Sequence, residues 1–239
     1  MSLRDAWESE AEKWALWARE FEHDSYWRFG RPNLLALLPP AGRRTLDLGC
    51  GEGRLTRDLK AGGHRVEAID ASPTLVRFAK QADPGGEYHV ADAASLPFED
   101  GAFDLVVAYM SLMDFDDMPS AVAEAARVLE PGGRFVAAVV HPINSAGRFE
   151  DDDAESRFLI EDTYFESRRY TETLERDGYE MRFHSLHHPL ETYASAFGAA
   201  GFLIEAIREP VLTADAFVLP ESARWERIPM FLYIRAVKR

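Results

Sequence analysis

The sequence predicts an α/β fold: a doubly wound, mostly parallel, seven-stranded sheet with N-terminal helices before it and a cap inserted after the fifth strand. Three observations predict it. The run Thr45-Leu46-Asp47-Leu48 stops at alternating glycines, Gly49, Gly51 and Gly53, and a helical pattern follows at once. Short apolar runs and helical patterns then alternate as far as His141, as strands joined by crossover helices do. The 239 residues are 46% hydrophobic and 28% charged, enough for one domain burying roughly 70 to 75% of its unfolded-chain surface.

Taken in order, Ser2 and Asp5 have the spacing of a capping box, and Trp7, Trp14, Trp17 and Phe21 lie on one stripe of a helix running to about Glu22. This aromatic helix, in an N-terminal segment over residues 1–40, either packs on the main domain or closes over a ligand as a lid that excludes water. A second helix, Arg31 to Leu38, ends at Pro39-Pro40. At the glycine loop the backbone can take positive φ and approach a ligand closely, and the next helix offers unpaired N–H groups to something anionic. Leu55 to Lys60 is helical and stops at Gly62-Gly63; Arg65 to Ile69 is a strand closing at Asp70, 17 residues after Gly53. A carboxylate there can take both hydroxyls of a ribose. It can also cap the next turn, although Ser72-Pro73 already supplies an N-cap and first turn for a helix to Lys80.

Glu87 to Ala91 is the third strand, ending at Asp92-Ala93, and Phe98 to Ala102 is a turn. Phe103 to Tyr109 is nearly continuous in apolar residues, as expected of a strand covered on both faces. Met118 to Leu129 is a helix, Pro131-Gly132-Gly133 turns the chain, and Arg134 to Val140 is the fifth strand, ending at His141. Ligands of such sheets sit beyond the carboxyl ends of the strands. Here those ends are Gly49, Asp70, Asp92, Tyr109 and His141.

Several classes are excluded or disfavoured. No apolar run approaches the ~20 residues of a membrane span, and the charged start Leu3-Arg4-Asp5 is no signal peptide, so a cytoplasmic protein without membrane attachment is expected. The net charge of −14 argues against a nucleic-acid partner and favours a small substrate. The lone cysteine, Cys50, rules out an intrachain disulfide. As a nucleophile it lacks an activating base nearby in sequence, and it reads as a small filler.

Leu46-Asp47-Leu48-Gly49-Cys50-Gly51-Glu52-Gly53, Ile69-Asp70-Ala71-Ser72-Pro73, Ala91-Asp92-Ala93 with Leu96-Pro97-Phe98, Phe103-Asp104-Leu105-Val106 and Leu129-Glu130-Pro131-Gly132-Gly133 come in one order and spacing. Together they resemble the class I methyltransferases that use S-adenosylmethionine, over residues 44–141. The resemblance implies a Rossmann-like cofactor core. It implies that Gly49, Cys50, Gly51 and Gly53 pass under the methionine part of the cofactor and that Asp47 orients its amino group. Asp70, with Ala71, would hold the ribose, Asp92 and Ala93 would meet the adenine, and residues 109 to 112, Tyr109 and Met110 among them, would line the sulfonium side. A nicotinamide enzyme is the main competitor, but its fingerprint needs a third glycine where Arg54 stands. The loop also lacks the Lys-Ser or Lys-Thr of a nucleoside-triphosphate cradle.

Residues 142–190 interrupt the alternation with the acidic Glu150 to Asp153 and an aromatic, arginine-rich stretch; Leu174 to His184 alternates as a surface strand would. A ~48-residue excursion is long for a plain loop and reads as a cap shaping a substrate pocket. His184, His187 and His188 cluster there, but without partner ligands they point to no metal. Residues 191–239 close the domain: Leu190 to Ala200 is a helix, and Phe202 to Arg208 and Met230 to Val237 are the last strands, which the resemblance implies pair antiparallel at the sheet edge. The expected activity is methyl transfer to an O or N atom of a small acceptor. A base would be needed near neutral pH, with His141 foremost and His184, His187 and Asp114 behind it; His141 can equally be a local cap. A non-catalytic adenosylmethionine-binding sensor and an RNA methyltransferase are the alternatives. The acceptor and the oligomeric state are not legible in the residues.

Overall fold

The computed structural model describes residues 1–21, 23–213, 216 and 220–239. Helix α1 (Leu3–Trp17) begins with the capping box: Ser2 Oγ accepts from Asp5 N–H at 3.0 Å and the Asp5 carboxylate accepts from Ser2 N–H. It stops at Trp17, before Phe21; Glu22, the expected end, lies outside the described residues. A π-helical turn, Tyr26–Gly30, runs straight into α2 (Arg31–Leu35). Helix α2 ends three residues before the expected Leu38, because the residue before a proline is pushed out of the helical region and Pro39-Pro40 follow.

The core then alternates: β1 (Thr45–Leu48), α3 (Arg54–Ala61), β2 (Val66–Asp70), α4 (Pro73–Ala82), β3 (Glu87–Val90), β4 (Phe103–Tyr109), α5 (Met118–Val128) and β5 (Leu129–Val140). The expected turn at Pro131-Gly132-Gly133 lies inside β5: Phe103 pairs Leu129 and Leu105 pairs Arg134, so residues 130–133 form a bulge rather than a separate turn. The cap holds a short helix, α6 (Pro142–Ser145), a small ribbon of β6 (Gly147–Phe149) and β7 (Phe158–Ile160), and a hairpin of β8 (Arg168–Arg176) and β9 (Tyr179–His187). The single surface strand expected over 174–184 is therefore two paired strands. Asp177 and Gly178 turn between them with φ +50 and +78, and positive φ at both positions suits the right-handed twist of a two-residue hairpin. Helix α7 (Leu190–Ala199), β10 (Phe202–Arg208) and β11 (Phe231–Lys238) complete the chain.

The main sheet has seven strands in the order β10-β11-β5-β4-β1-β2-β3. Strands β1 to β5 are mutually parallel, and β11 runs antiparallel to both β5 and β10. Both faces are buried. Along β4, Val106 and Ala108 join the layer of α5 and α7 with Val122, Ala125 and Phe197, while Leu105 and Val107 join the layer of α2 and α3 with Leu34 and Leu59. Each such side chain contributes roughly 1.5–3 kcal/mol on burial, which is why the strand reads as unbroken apolar text. Helix α1 lies outside this core, its small Ala11 and Ala15 seated on Leu75 of α4. The Glu8 carboxylate accepts from the hydroxyls of Ser72 and Thr74 at the start of α4, a favourable place for negative charge at a helix N-terminus. Among the described residues no helix is long and apolar enough to cross a membrane.

The glycine loop is held in place by steric demand. Gly49 has φ +80, and a Cβ there would stand 2.5 Å from Ser111 Cβ. Gly49→Ala is expected to cost about 1–3 kcal/mol in urea denaturation, from left-handed strain and the clash together. Adding Ser111→Gly should recover the clash part and leave the strain.

Candidate functional site

One cavity of about 1060 Å³ opens at the carboxyl ends of the parallel strands and extends under α1 and the β8–β9 hairpin. Asp47, Gly49, Cys50, Gly51, Asp70 and Ala71 line one end, with Asp92 and Ala93 beside them; Tyr109, Met110 and Asp114 lead to the other. Gly53 does not line the cavity: it packs one step deeper, where a Cβ would meet Tyr88 and Ala79 at 3.0 and 3.1 Å.

Asp70 ties this end together. Its two oxygens accept from Gly51 N–H at 2.8 Å and Ser72 N–H at 2.9 Å, while Ser72 Oγ caps α4 through Leu75 N–H. It therefore does cap the turn, and with about four acceptor sites a carboxylate has capacity left for a ligand. Burial pushes the Asp70 carboxyl above its ordinary value despite the two backbone bonds. Asp47 is 1% exposed and accepts from Thr56 Oγ at 2.6 Å; burial, opposed by that bond and helped by the charge of Asp70, pushes it up to about 7. Burial and these two carboxylates hold the Cys50 thiol well above its usual value. Cys50 is therefore a protonated thiol at neutral pH, the state of a packing residue.

Of the expected proton acceptors only Asp114 reaches the cavity. His141 caps α6: its Nδ1 accepts from Ile143 N–H at 3.0 Å, and its Nε2 lies 2.8 Å from Glu209. With Nδ1 accepting, Nε2 carries the proton, and neither nitrogen faces the cavity. Burial lowers the pKa of its ring although Glu209 opposes the effect. His187 Nδ1 meets Ser145 Oγ at 2.7 Å and Nε2 donates to Tyr164 O at 2.9 Å. The ring of His184 is 3.2 Å from Thr171 Oγ1, and its carbonyl accepts from Trp7 Nε1–H at 2.8 Å. His188 pairs separately with Ser167; among the described residues no three metal-binding side chains converge.

Asp114 stands in a 3-10 turn, Leu112–Asp114, just beyond β4. Its Oδ1 accepts from Ser185 Oγ on β9 at 2.6 Å, and Tyr170, the register partner of Ser185 on β8, has its phenol beside both. The roof above is aromatic. Phe183 lies 5.9 to 6.3 Å from Trp7, Trp14 and Trp17 of α1 in edge-to-face contacts. Trp14 Nε1 would be 3.2 Å from a Cβ on Gly51, so α1 sits directly on the glycine loop.

Sequence reasoning missed several wall residues. Tyr170, Phe183 and Ser185 are reached only through the hairpin register; the Asp177-Gly178 pair was the available signal. Arg54, directly after the glycine loop, is held by Asp24 at 2.7 Å and stacks over Tyr26 and Trp14 at 4.1 and 5.0 Å. Met110 takes φ +51 at the end of β4, a strained conformation for a side-chain-bearing residue that concentrates at functional sites.

Burial raises the Asp114 carboxyl well above the ordinary range, opposed by the Ser185 bond and reinforced by the charge of Asp70. A carboxyl raised in the folded state contributes stability that is full below its unfolded value and is lost as pH rises through the folded one. Asp114→Asn is therefore expected to raise the thermal midpoint at pH 8 and to leave it unchanged below about pH 4, under the unfolded value of an aspartate, as read by calorimetry.

Residues 46–137 match the methyltransferase domain family. The chain is 33% identical over 101 residues to a malonyl-[acyl-carrier protein] O-methyltransferase of Pectobacterium atrosepticum, covering 42% of this chain and 40% of that one. It is 37% identical over 115 residues to a demethylmenaquinone methyltransferase of Beutenbergia cavernae, covering 48% and 47%. The chain thus spans under half the length of these two curated relatives. The crystal structure of an S-adenosylmethionine-dependent methyltransferase from Mesorhizobium loti superposes with a TM-score of 0.70 at 27% identity, over 90% of this chain and 98% of that one. A glycine loop at the end of β1, acids at the tips of the next two strands, the seven-stranded order and the matched domain converge on one conclusion: residues 46–137 form a methyltransferase-family domain, in a chain with the fold of the class I S-adenosylmethionine-dependent methyltransferases.

Proposed function

We propose that the protein transfers the methyl group of S-adenosylmethionine to a small-molecule acceptor held in the same cavity. The observation that carries this reading is the continuity of that cavity. About 1060 Å³ lies at the upper end of what a single small ligand occupies, and it joins the glycine loop and Asp70 to a separate wall of Asp114, Tyr170 and Ser185. The names of the relatives, which concern small acceptors, support the same class.

The residues fit the cofactor. Asp70 keeps acceptor capacity for a ribose diol, Asp47 offers a buried carboxylate to an ammonium, Asp92 and Ala93 border the adenine position, and Gly51 leaves room where a Cβ would press on Trp14. When bound, S-adenosylmethionine supplies an electrophilic methyl group on a positively charged sulfur. The chain's own part is to position and to dry. Walls from β4 and the hairpin fix the acceptor, and a held near-attack geometry removes much of the entropic barrier. The roof of Trp7, Trp14 and Phe183 keeps water out. Asp114, oriented by Ser185 and with its carboxyl raised by burial, is the proton acceptor within the cavity; His141, His184 and His187 serve the cap's structure.

Titration calorimetry with S-adenosylhomocysteine tests the reading. Binding in the micromolar range is expected, weakened roughly tenfold or more by Asp70→Asn, the scale of losing hydrogen bonds to a charged group. No binding to the parent protein would overturn it. Affinity should also rise between pH 6 and 8, because Asp47, held up to about 7, must ionise to hold an ammonium. Asp47→Asn should flatten that slope.

A further inference from the structure

Several carboxylates around this cavity have partner cations; among the described residues Asp47 and Asp70 do not, but both lie at the end assigned above to the cofactor, which leaves Asp114 as the unpaired buried acid of the opposite wall. Glu52 is held by Arg57 and Arg19, Asp24 by Arg54, and Asp116 by Arg169. Asp114 has the Ser185 hydroxyl on one oxygen, and no ion pair reaches it among the described residues. The charge that bears on it is that of another acid, Asp70. Two arginines that enter the cavity are engaged elsewhere: Arg168 donates to the carbonyls of Ser145, Ala146 and Thr163, and Arg224 to Asp151 O and the Asp152 carboxylate. Around Asp114 stand the Tyr170 and Tyr193 phenols, and the aromatic roof of Phe183 and Trp7 lies along the same hairpin. This wall is acidic and aromatic, and although the charge of Arg168 bears on Tyr170, no ion pair reaches Asp114 among the described residues.

We infer that the methyl acceptor is a basic amine, whose ammonium pairs with the Asp114 carboxylate and lies against the aromatic wall of Tyr170. The inference rests on the methyltransferase reading and names the acceptor class within it. Buried charges are normally paired. With a neutral hydroxyl acceptor, burial keeps Asp114 toward its protonated form, unable to take a proton, whereas an ammonium supplies the positive charge that favours the carboxylate and also gains from aromatic faces. The chemistry balances. The ammonium passes one proton to Asp114 and thence to solvent; the freed nitrogen lone pair forms the bond to the methyl carbon as the carbon–sulfur bond breaks, and its electron pair stays on sulfur. Ser185 acts as a positioning residue by fixing the Asp114 carboxylate.

The test uses paired probes in the presence of S-adenosylhomocysteine: 2-phenylethylamine with 2-phenylethanol, and tryptamine with indole-3-ethanol, titrated calorimetrically into the parent, Asp114→Asn and Ser185→Ala proteins. The parent is expected to bind each amine about tenfold or more tightly than its alcohol, and Asp114→Asn to lose most of that preference with a thermal midpoint no lower than the parent's. Ser185→Ala should lose part of it. Tyramine, which carries both groups, should give the N-methyl product with S-adenosylmethionine. Equal or tighter binding of the alcohols, no binding of any amine, a preference that survives Asp114→Asn, or O-methylation of tyramine would overturn the inference. The cofactor's sulfonium is the other cation available to Asp114. If Asp114→Asn weakened S-adenosylmethionine selectively against S-adenosylhomocysteine, Asp114 would belong to the cofactor and the amine inference would fall. Absent S-adenosylhomocysteine binding in the parent would instead remove the methyltransferase reading itself, so the two failures are separable.

Discussion

The candidate site depends on one carboxylate at the tip of the second strand. Asp70 receives one backbone N–H from the glycine loop and one from the turn before α4, so a single side chain sets the relation between β1, β2 and the start of α4. Loops at strand ends have few other restraints, and a charged acceptor holding two backbone donors is among the stronger ones available. It is also a negative charge in a buried place, so the site is arranged around electrostatic tension as well as geometry. Asp47 and Asp114 add to it, and burial drives all three carboxyls toward their neutral forms.

That tension gives the cavity its chemical preference. A cleft with three raised carboxyls binds cations well and anions poorly, and the family's cofactor is itself cationic. It also links stability to function. Acids that are costly to ionise in the free protein are the groups that gain most when a positive ligand arrives, in keeping with the general trade between a strained site and a stable fold.

The roof is built from parts distant in sequence. Helix α1 is fixed by Glu8 on the start of α4, by Trp7 on the His184 carbonyl and by its tryptophans on Phe183. The hairpin beneath contributes Tyr170 and Ser185 from paired positions. The two ends of the cavity thereby share a cover, in which α1 touches the glycine loop at one end and the hairpin at the other.

The core was legible in the sequence because its determinants are local. Periodicity marks strands and helices, the Ser2–Asp5 and Ser72-Pro73 pairs mark helix starts, and the glycines with Asp47, Asp70 and Asp92 fall at strand ends that any doubly wound sheet gathers on one edge. Contacts over long sequence separation were not legible. His141 looked like a base because it ends a strand, yet its ring is taken by Ile143 N–H and Glu209, a partner 68 positions away. Asp114 stood behind it in the sequence reading and is the one that faces the cavity, because β9 brings Ser185 to it from 71 positions away. The sequence by itself determined the fold class and the glycine-loop end of the cavity, where spacing along the chain equals placement in space; only the tertiary structure decided the end at Asp114, because its walls come from elements whose meeting depends on hairpin register and packing.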